Sequence, residues 1–310
     1  MPPSLALELH LQIIQHIDNQ ADLCALSLCC SDFRDEAQRS LFYEVTPKPL
    51  HRQAQFISTM NASPSRFGPW VHTFYTNLKP RVDVQLSDMS AALRAMRNLK
   101  HLKILTDQHT SSILPGCTFS LHTLAFVDGL QEAEMQYLFY NFLHTQPSIS
   151  RLQVPYDGLS RYPLLATEVS TKLCPKLDFL GTSDRRFVGV LLRDNRLITR
   201  FEWGAKLSPL PPISTRQLNH LEYLFFGIAA SPINFTFTHH LTSLVVLELH
   251  IGLRDGNGPS PDLSFLQNIP CLRVLIITVR IPPLAIPEGE REFDLLSVPG
   301  RAFELSPTLE

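Results

Sequence analysis

One pattern of apolar positions recurs along most of the chain: apolar-x-x-apolar-x-apolar. It is carried by Leu99, Leu102 and Ile104; Leu121, Leu124 and Phe126; Ile149, Leu152 and Val154; Ile198, Phe201 and Trp203; Leu221, Leu224 and Phe226; Leu244, Leu247 and Leu249; and Leu272, Leu275 and Ile277. Two weaker copies, Val71, Phe74, Thr76 and Leu177, Leu180, Thr182, end on Thr. The starts fall at 71, 99, 121, 149, 177, 198, 221, 244 and 272, so the successive steps are 28, 22, 28, 28, 21, 23, 23 and 28 residues. The last two apolar positions of each copy are two apart and share one face of a short strand. Parallel stacking of such strands buries that face and pairs their backbones edge to edge. The residue between them, such as Lys103, Gln153, Glu202 or Glu248, then points to the solvent side. The longer steps have room for a return helix, and the spacing predicts helices over Ser87–Met96, Glu132–Leu143 and Leu164–Leu173. The steps of 21 to 23 residues leave room for loops or single turns.

Repeats of about 20 to 29 residues with this core resemble leucine-rich repeats. The resemblance spans about two thirds of the chain, 71–280, and implies an irregular solenoid with a parallel β-sheet. The Asn usual a few residues after the core is mostly absent, with Asn77 an exception. An ordinary α/β domain of alternating helices and strands is the rival architecture. Residues 281–310 are Pro-rich and hold no further copy. This tail either folds back as a cap on the last repeat or leaves that repeat bare.

The first 45 residues differ. Leu7, Leu9, Ile13, Ile14 and Ile17 recur at helical spacing. Asp22 suits the N-cap of a second helix carrying Leu23, Leu26, Leu28, Cys29 and Cys30. Ser31 or Asp32 would cap a third, with Phe33, Ala37, Leu41 and Phe42 on its apolar side. Three helices this short cannot bury all of that surface in one another, so the unit calls for a neighbour or a partner. Residues 46–70 read as a connection. Pro47 and Pro49 end the third helix, His51–Met60 has helical spacing, and Phe56, Ile57 and Phe67 are too apolar for a free linker.

In order and spacing, Leu5-Ala6-Leu7-Glu8-Leu9, Ile13-Ile14, Ile17, Asp22-Leu23, Leu26-Ser27-Leu28-Cys29-Cys30 and Phe33-Arg34 resemble the F-box motif. The chain as a whole is similar to divergent, fungal-type F-box proteins with a C-terminal leucine-rich-repeat-like array. The fold expected is α/β, a three-helix head followed by that array. The resemblance implies that the head binds a Skp-type adaptor and, through it, a cullin scaffold, as the substrate-recognition subunit of a ubiquitin ligase. Leu5, Leu7, Leu9, Ile13, Ile14, Ile17, Leu23, Leu26, Leu28 and Phe33 would supply the adaptor face and the head's own core. The family usually has Pro where this chain has Ala6, and Pro there would fix the entry to the first helix. The alternative is a ligase-independent scaffold in which the head only caps the array. In either case a target protein would meet exposed strand positions: Lys103, His122, Gln153, Glu202, Tyr223 and Glu248.

Composition narrows the rest. A chain of 310 residues, 44% hydrophobic and 18% charged, has the makings of a folded protein with a sizeable core. Net charge is -2 with Lys and Arg dispersed, which argues against nucleic acid or an anionic membrane as partner. The densest basic stretch, Arg185, Arg186, Arg193, Arg196 and Arg200, reads as a solvated face. No run approaches the roughly 20 apolar residues of a membrane span. Glu8 and His10 interrupt the first apolar positions, so no secretory leader is expected and the setting expected is intracellular, cytoplasmic or nuclear. The six cysteines form no framework and are expected as reduced, buried thiols. Cys24, Cys29 and Cys30 lack zinc-module spacing, and His239, His240 and His250 lack a carboxylate partner at fixed spacing. Nucleophile-elbow, P-loop and dinucleotide fingerprints are missing, and Gly252–Gly258 does not lead from a strand into a helix. No metal, cofactor or catalytic residue is assigned, and the protein is expected not to be an enzyme.

Overall fold

The computed structural model describes residues 9, 12–14, 16–29, 31–46, 50–77, 85–105, 109–155, 173–192, 196–204, 213–229, 236–252, 263–280, 302, 305, 306, 308 and 309. The chain forms two compact units, Met1–Ile149 and Ser150–Glu310.

The first unit begins with the head. Leu9 and Gln12, Ile13 and Ile14 are helical. Helices α1 (Gln20–Cys29) and α2 (Ser31–Tyr43) follow. The cap of α1 is Asn19, whose Oδ1 accepts the Ala21 N–H at 2.9 Å. Asp22 is therefore not the cap. It sits in the first turn, where a carboxylate favours the positive end of the helix dipole. Ile14, Leu23 and Ala37 form the head's core, with Ile17, Leu26, Phe33 and Leu41 packed round it.

A two-residue strand, β1 (Glu44–Val45), pairs in parallel with β2 (Thr73–Asn77), Val45 opposite Phe74. So short a strand shows no alternation to read in the sequence. The expected connecting helix is α3 (Leu50–Ala62), and it is packed on both sides. Phe56 lies 5.9 Å from Phe42 of α2 and 5.4 Å from Phe74 of β2, and Phe42 stacks on Phe67 at 4.5 Å. Gly68 marks a tight crossing. A Cβ there would stand 2.3 Å from the Ala95 carbonyl oxygen of α4 (Leu86–Ala95). Strands β3 (His101–Leu105) and β4 (Thr123–Phe126) extend the sheet in sequence order, all parallel. The helix expected over Glu132–Leu143 begins as α5 (Glu132–Tyr137), then widens to a π turn over Leu138–Phe142.

The second unit repeats the scheme with β5 (Arg151–Val154), β6 (Phe179–Thr182), β7 (Arg200–Trp203), β8 (Tyr223–Ala229), β9 (Val246–Gly252) and β10 (Val274–Arg280), parallel and in sequence order. The architecture is thus mixed α/β with leucine-rich-repeat-like strands, and the last two marked positions of each of the nine sequence copies lie in a strand, including the two that end on Thr. Thr76 and Thr182 are buried and partnered: Thr76 Oγ1 lies 3.8 Å from Met89 Sδ, and Thr182 Oγ1 accepts the Asp184 N–H at 3.1 Å. The 21-residue step holds more than a single turn, a seven-residue helix α6 (Arg185–Leu191). The helix expected over Leu164–Leu173 lies almost wholly outside the described residues. Of the tail, Ala302 and Ser306 are buried and Thr308 Oγ1 donates to the Leu272 carbonyl, so its end folds back on the last repeat.

Two backbone devices explain why the register holds. The carbonyl one residue after a repeat's first apolar position accepts two successive N–H groups of the next repeat. His72, Lys100, Ser150, Asp178, Thr199, Glu222 and Val245 each do this, at 2.8 to 3.2 Å. The first apolar position itself donates to the carbonyl three residues back at Val71, Leu99, Ile149, Leu177, Leu221, Leu244 and Leu272. At the remaining two, Leu121 and Ile198, a buried glutamine takes the N–H. Gln146 Oε1 accepts from Leu121 at 2.9 Å while its Nε2 donates to the Phe119 carbonyl at 3.1 Å. Gln217 does the same to both backbone groups of Ile198. Gln53 bridges both backbone groups of Asn77 in the first unit. A buried backbone amide must find a partner, and at these three positions a buried glutamine side chain supplies it.

Candidate functional site

The head presents one candidate surface. Ile14 and Leu23 are in its core; Ile17, Leu26 and Phe33 are half-buried around them. Leu9 (47% exposed), Ile13 (49%) and Leu28 (82%) face solvent, and Tyr43 is exposed as well. Leu5 and Leu7 lie outside the described residues. Large apolar side chains left in water on so small a unit make this the head's candidate docking surface. The same head also covers the first edge of the sheet. Beyond the β1–β2 pairing, the His72 N–H donates to the Tyr43 carbonyl at 3.0 Å and the two rings stack at 4.5 Å. Arg66 reaches back to Asp35 at 3.1 Å and Gln38 at 2.9 Å. Between Ile14, Leu23 and Leu41 on one side and Trp70 and His72 on the other lies a cleft of about 780 Å³.

The open face of the second unit is the other candidate, and the strand period builds it. Leu152 and Val154, Phe201 and Trp203, Leu224 and Phe226, and Leu247 and Leu249 turn into the core. The residues between and before them face outward in rows. The register places Arg151, Phe179, Arg200, Tyr223, Val246 and Val274 in one row. The next row is Gln153, Gly181, Glu202, Phe225, Glu248 and Ile276. Gly181 has no side chain, so Gln153 reaches over it and donates to Glu202 Oε2 at 3.3 Å. Tyr223 Oη donates to Glu248 Oε2 at 2.8 Å. The Arg151 guanidinium stands over the Phe179 ring at 4.3 Å, and Phe225 meets His250 edge to face at 6.1 Å.

Burial pushes the Glu202 carboxyl above the ordinary range; Arg151 opposes that and the negative charge of Glu248 adds to it. Burial, and then the bond to Glu248, hold the Tyr223 hydroxyl protonated well beyond neutral pH. Gln153, Glu202, Tyr223 and Glu248, expected as target contacts, are thus brought together on one face. Lys103 belongs to the first unit, with its ammonium 4.4 Å over the Tyr75 ring. His122 is not a strand position. It precedes β4 in a turn, exposed, its ring 6.3 Å from that of His101. Arg151, Phe179 and Phe225 were missed; Arg151 and Phe225 each lie two residues from a named position, so extending the same alternation would have found them, whereas Phe179 is placed only by its pairing with Arg151.

The cysteines depart from expectation. Cys24, Cys29 and Cys271 are exposed, Cys117 is half-buried, and only Cys174 of the five described is buried. An apolar neighbourhood in sequence does not set which side of a helix a thiol takes. Among the described residues no three His, Cys, Asp or Glu come together as a metal site would need, and no helix is long and apolar enough to cross a membrane.

No family model matches the chain, and no curated protein matches it. Among solved structures, a leucine-rich repeat-containing protein from Legionella pneumophila is similar at a TM-score of 0.45 and 11% identity, over 82% of this chain and 87% of that one.

Proposed function

We propose that the protein is a non-catalytic adaptor. Its head docks a Skp-type adaptor of a cullin-based ubiquitin ligase, and its open strand face holds a target protein for that ligase. The observation that carries the reading is the division of the head's apolar residues. Ile14 and Leu23 are spent on its core, and Leu9, Ile13 and Leu28, among the ten positions the F-box resemblance shares between adaptor face and core, stand in water. Binding energy in such a dock comes from a few apolar anchors.

The test is direct binding of the full chain to a purified Skp-type adaptor, with Leu9→Asp, Ile13→Asp and Leu28→Asp beside the unaltered chain. Saturable binding that the substitutions abolish supports the dock. No binding by a well-folded chain removes it. The second reading, a ligase-independent scaffold, then takes over. It is favoured by the β1–β2 pairing, which makes the head a cover for an edge that strands otherwise leave open to pairing.

A further inference from the structure

We propose that the row Glu202, Phe225, Glu248 on the open face of the second unit is a seat for a basic side chain of a target segment. The arginine or lysine lies over the Phe225 ring, between the two carboxylates. This deepens the reading of that face as the target surface and rests on it.

The register puts the three residues side by side on β7, β8 and β9. Neighbouring strands are about 4.8 Å apart, so Glu202 and Glu248 stand on either side of Phe225 with their backbones about 10 Å apart. A flat guanidinium stacked on the ring would have Glu248 on one side and, on the other, Glu202, whose Oε2 now leans over Gly181 and would turn to meet it. Each carboxylate is already oriented, Glu202 by the Gln153 amide and Glu248 by the Tyr223 hydroxyl. Both donors are neutral, so they aim the carboxylates without cancelling their charge. Arg151, the protein's own cation beside Glu202, has its guanidinium stacked on Phe179 one row back, and its charge offsets the burial of Glu202 only in part. A half-buried carboxylate held by neutral donors is what an incoming cation relieves. Burial already strains the Glu202 charge, which adds to that demand.

The face also sets what accompanies the basic residue. Val274 and Ile276 on β10 are 41% and 42% exposed, two strands beyond Phe225. An extended segment crossing the strands covers that distance in about three residues. The fitting partner is therefore a segment with a basic residue and an apolar one about three positions away.

The experiment selects short random peptides displayed on phage against the immobilised full chain. A parallel selection uses the Glu202→Gln, Glu248→Gln double variant, with thermal melts to show that it folds. The dominant peptide is then synthesised and titrated by fluorescence anisotropy. The expected result is Arg or Lys at a fixed position with an apolar residue about three away. Affinity should fall about tenfold for each single Gln variant and fall further with added salt. Peptides with a fixed acidic residue, no selection at all, or equal affinity for the double variant would overturn the proposal. So would self-association of the chain through this face. Peptides that lack a basic position yet lose binding to Phe225→Glu would sink the basic seat and leave the face standing as a target surface.

Discussion

Gln217 and Ile198 are joined twice. The Ile198 N–H donates to Gln217 Oε1 at 3.2 Å, and Gln217 Nε2 donates to the Ile198 carbonyl at 2.8 Å. Gln217 is buried, so no water stands ready to replace it. Gln217→Met keeps the volume and strands both backbone groups. Leaving a buried polar group unpaired costs about 1 to 3 kcal/mol, so urea unfolding should show a loss of about 3 kcal/mol. Gln146→Met should cost a similar amount in the first unit. An unchanged midpoint for both would mean that the bridges do not hold the repeats.

Folding and docking should separate in the head. Ile14→Asp places a charge in the core formed with Leu23 and Ala37, and should destabilise by about 3 kcal/mol or more. Leu28→Asp changes a side chain 82% exposed and should move stability by no more than about 0.5 kcal/mol. Only the second is a fair probe of adaptor binding. Circular dichroism melts of the two variants check the contrast.

Glu202 carries a pH signature. Its folded-state pKa lies above the unfolded value, so the folded chain holds this proton more tightly. That stabilisation is complete below the unfolded value, about 4.3, and is lost as pH rises through the folded one. At neutral pH the ionised carboxylate works against the fold. Glu202→Gln should therefore melt with the unaltered protein near pH 4 and above it near pH 7.5. A gap that shrinks with rising pH would contradict the assignment.

Gly68→Ala tests the crossing of the connecting segment over α4. The backbone dihedrals at Gly68, φ -53 and ψ -47, suit any residue, so the cost comes from contact alone. The added methyl would meet the Ala95 carbonyl at 2.3 Å, and backbone cannot step aside as a side-chain tip can. Overpacking of this kind costs about 1 to 3 kcal/mol, measurable by equilibrium unfolding.

The thiols should sort by site. Maleimide labelling of the native chain followed by peptide mass mapping should find Cys24, Cys29 and Cys271 modified first. Burial pushes the Cys117 and Cys174 thiols up to about 12, so both stay protonated and slow until the chain unfolds.

The strand positions were readable because each copy asks only for two apolar residues two apart, and that demand is local. Even Thr76 and Thr182 passed, because a hydroxyl near its own backbone or a thioether finds a partner. The glutamine bridges were not readable. Gln146 and Leu121 are 25 residues apart, and nothing in either segment's own pattern announces the other. The cap of α1 went wrong for a different reason. Asn19 and Asp22 are both good caps, and propensity alone does not rank two such residues three apart. On the open face, the outward residues between core positions were legible from alternation. Their grouping depends on register between strands, which brings Gln153 to Glu202 across Gly181.

The link in which one carbonyl serves two amides of the next repeat has a last consequence. Within each unit it places a strand against the one before it without reference to the length of chain between them. The step from 177 to 198 and the step from 244 to 272 both end in it. Residues can therefore be gained or lost in the return segments while the outward rows keep their addresses. The side of the repeats that absorbs insertions and the open strand face are free to diverge at separate rates over evolutionary time.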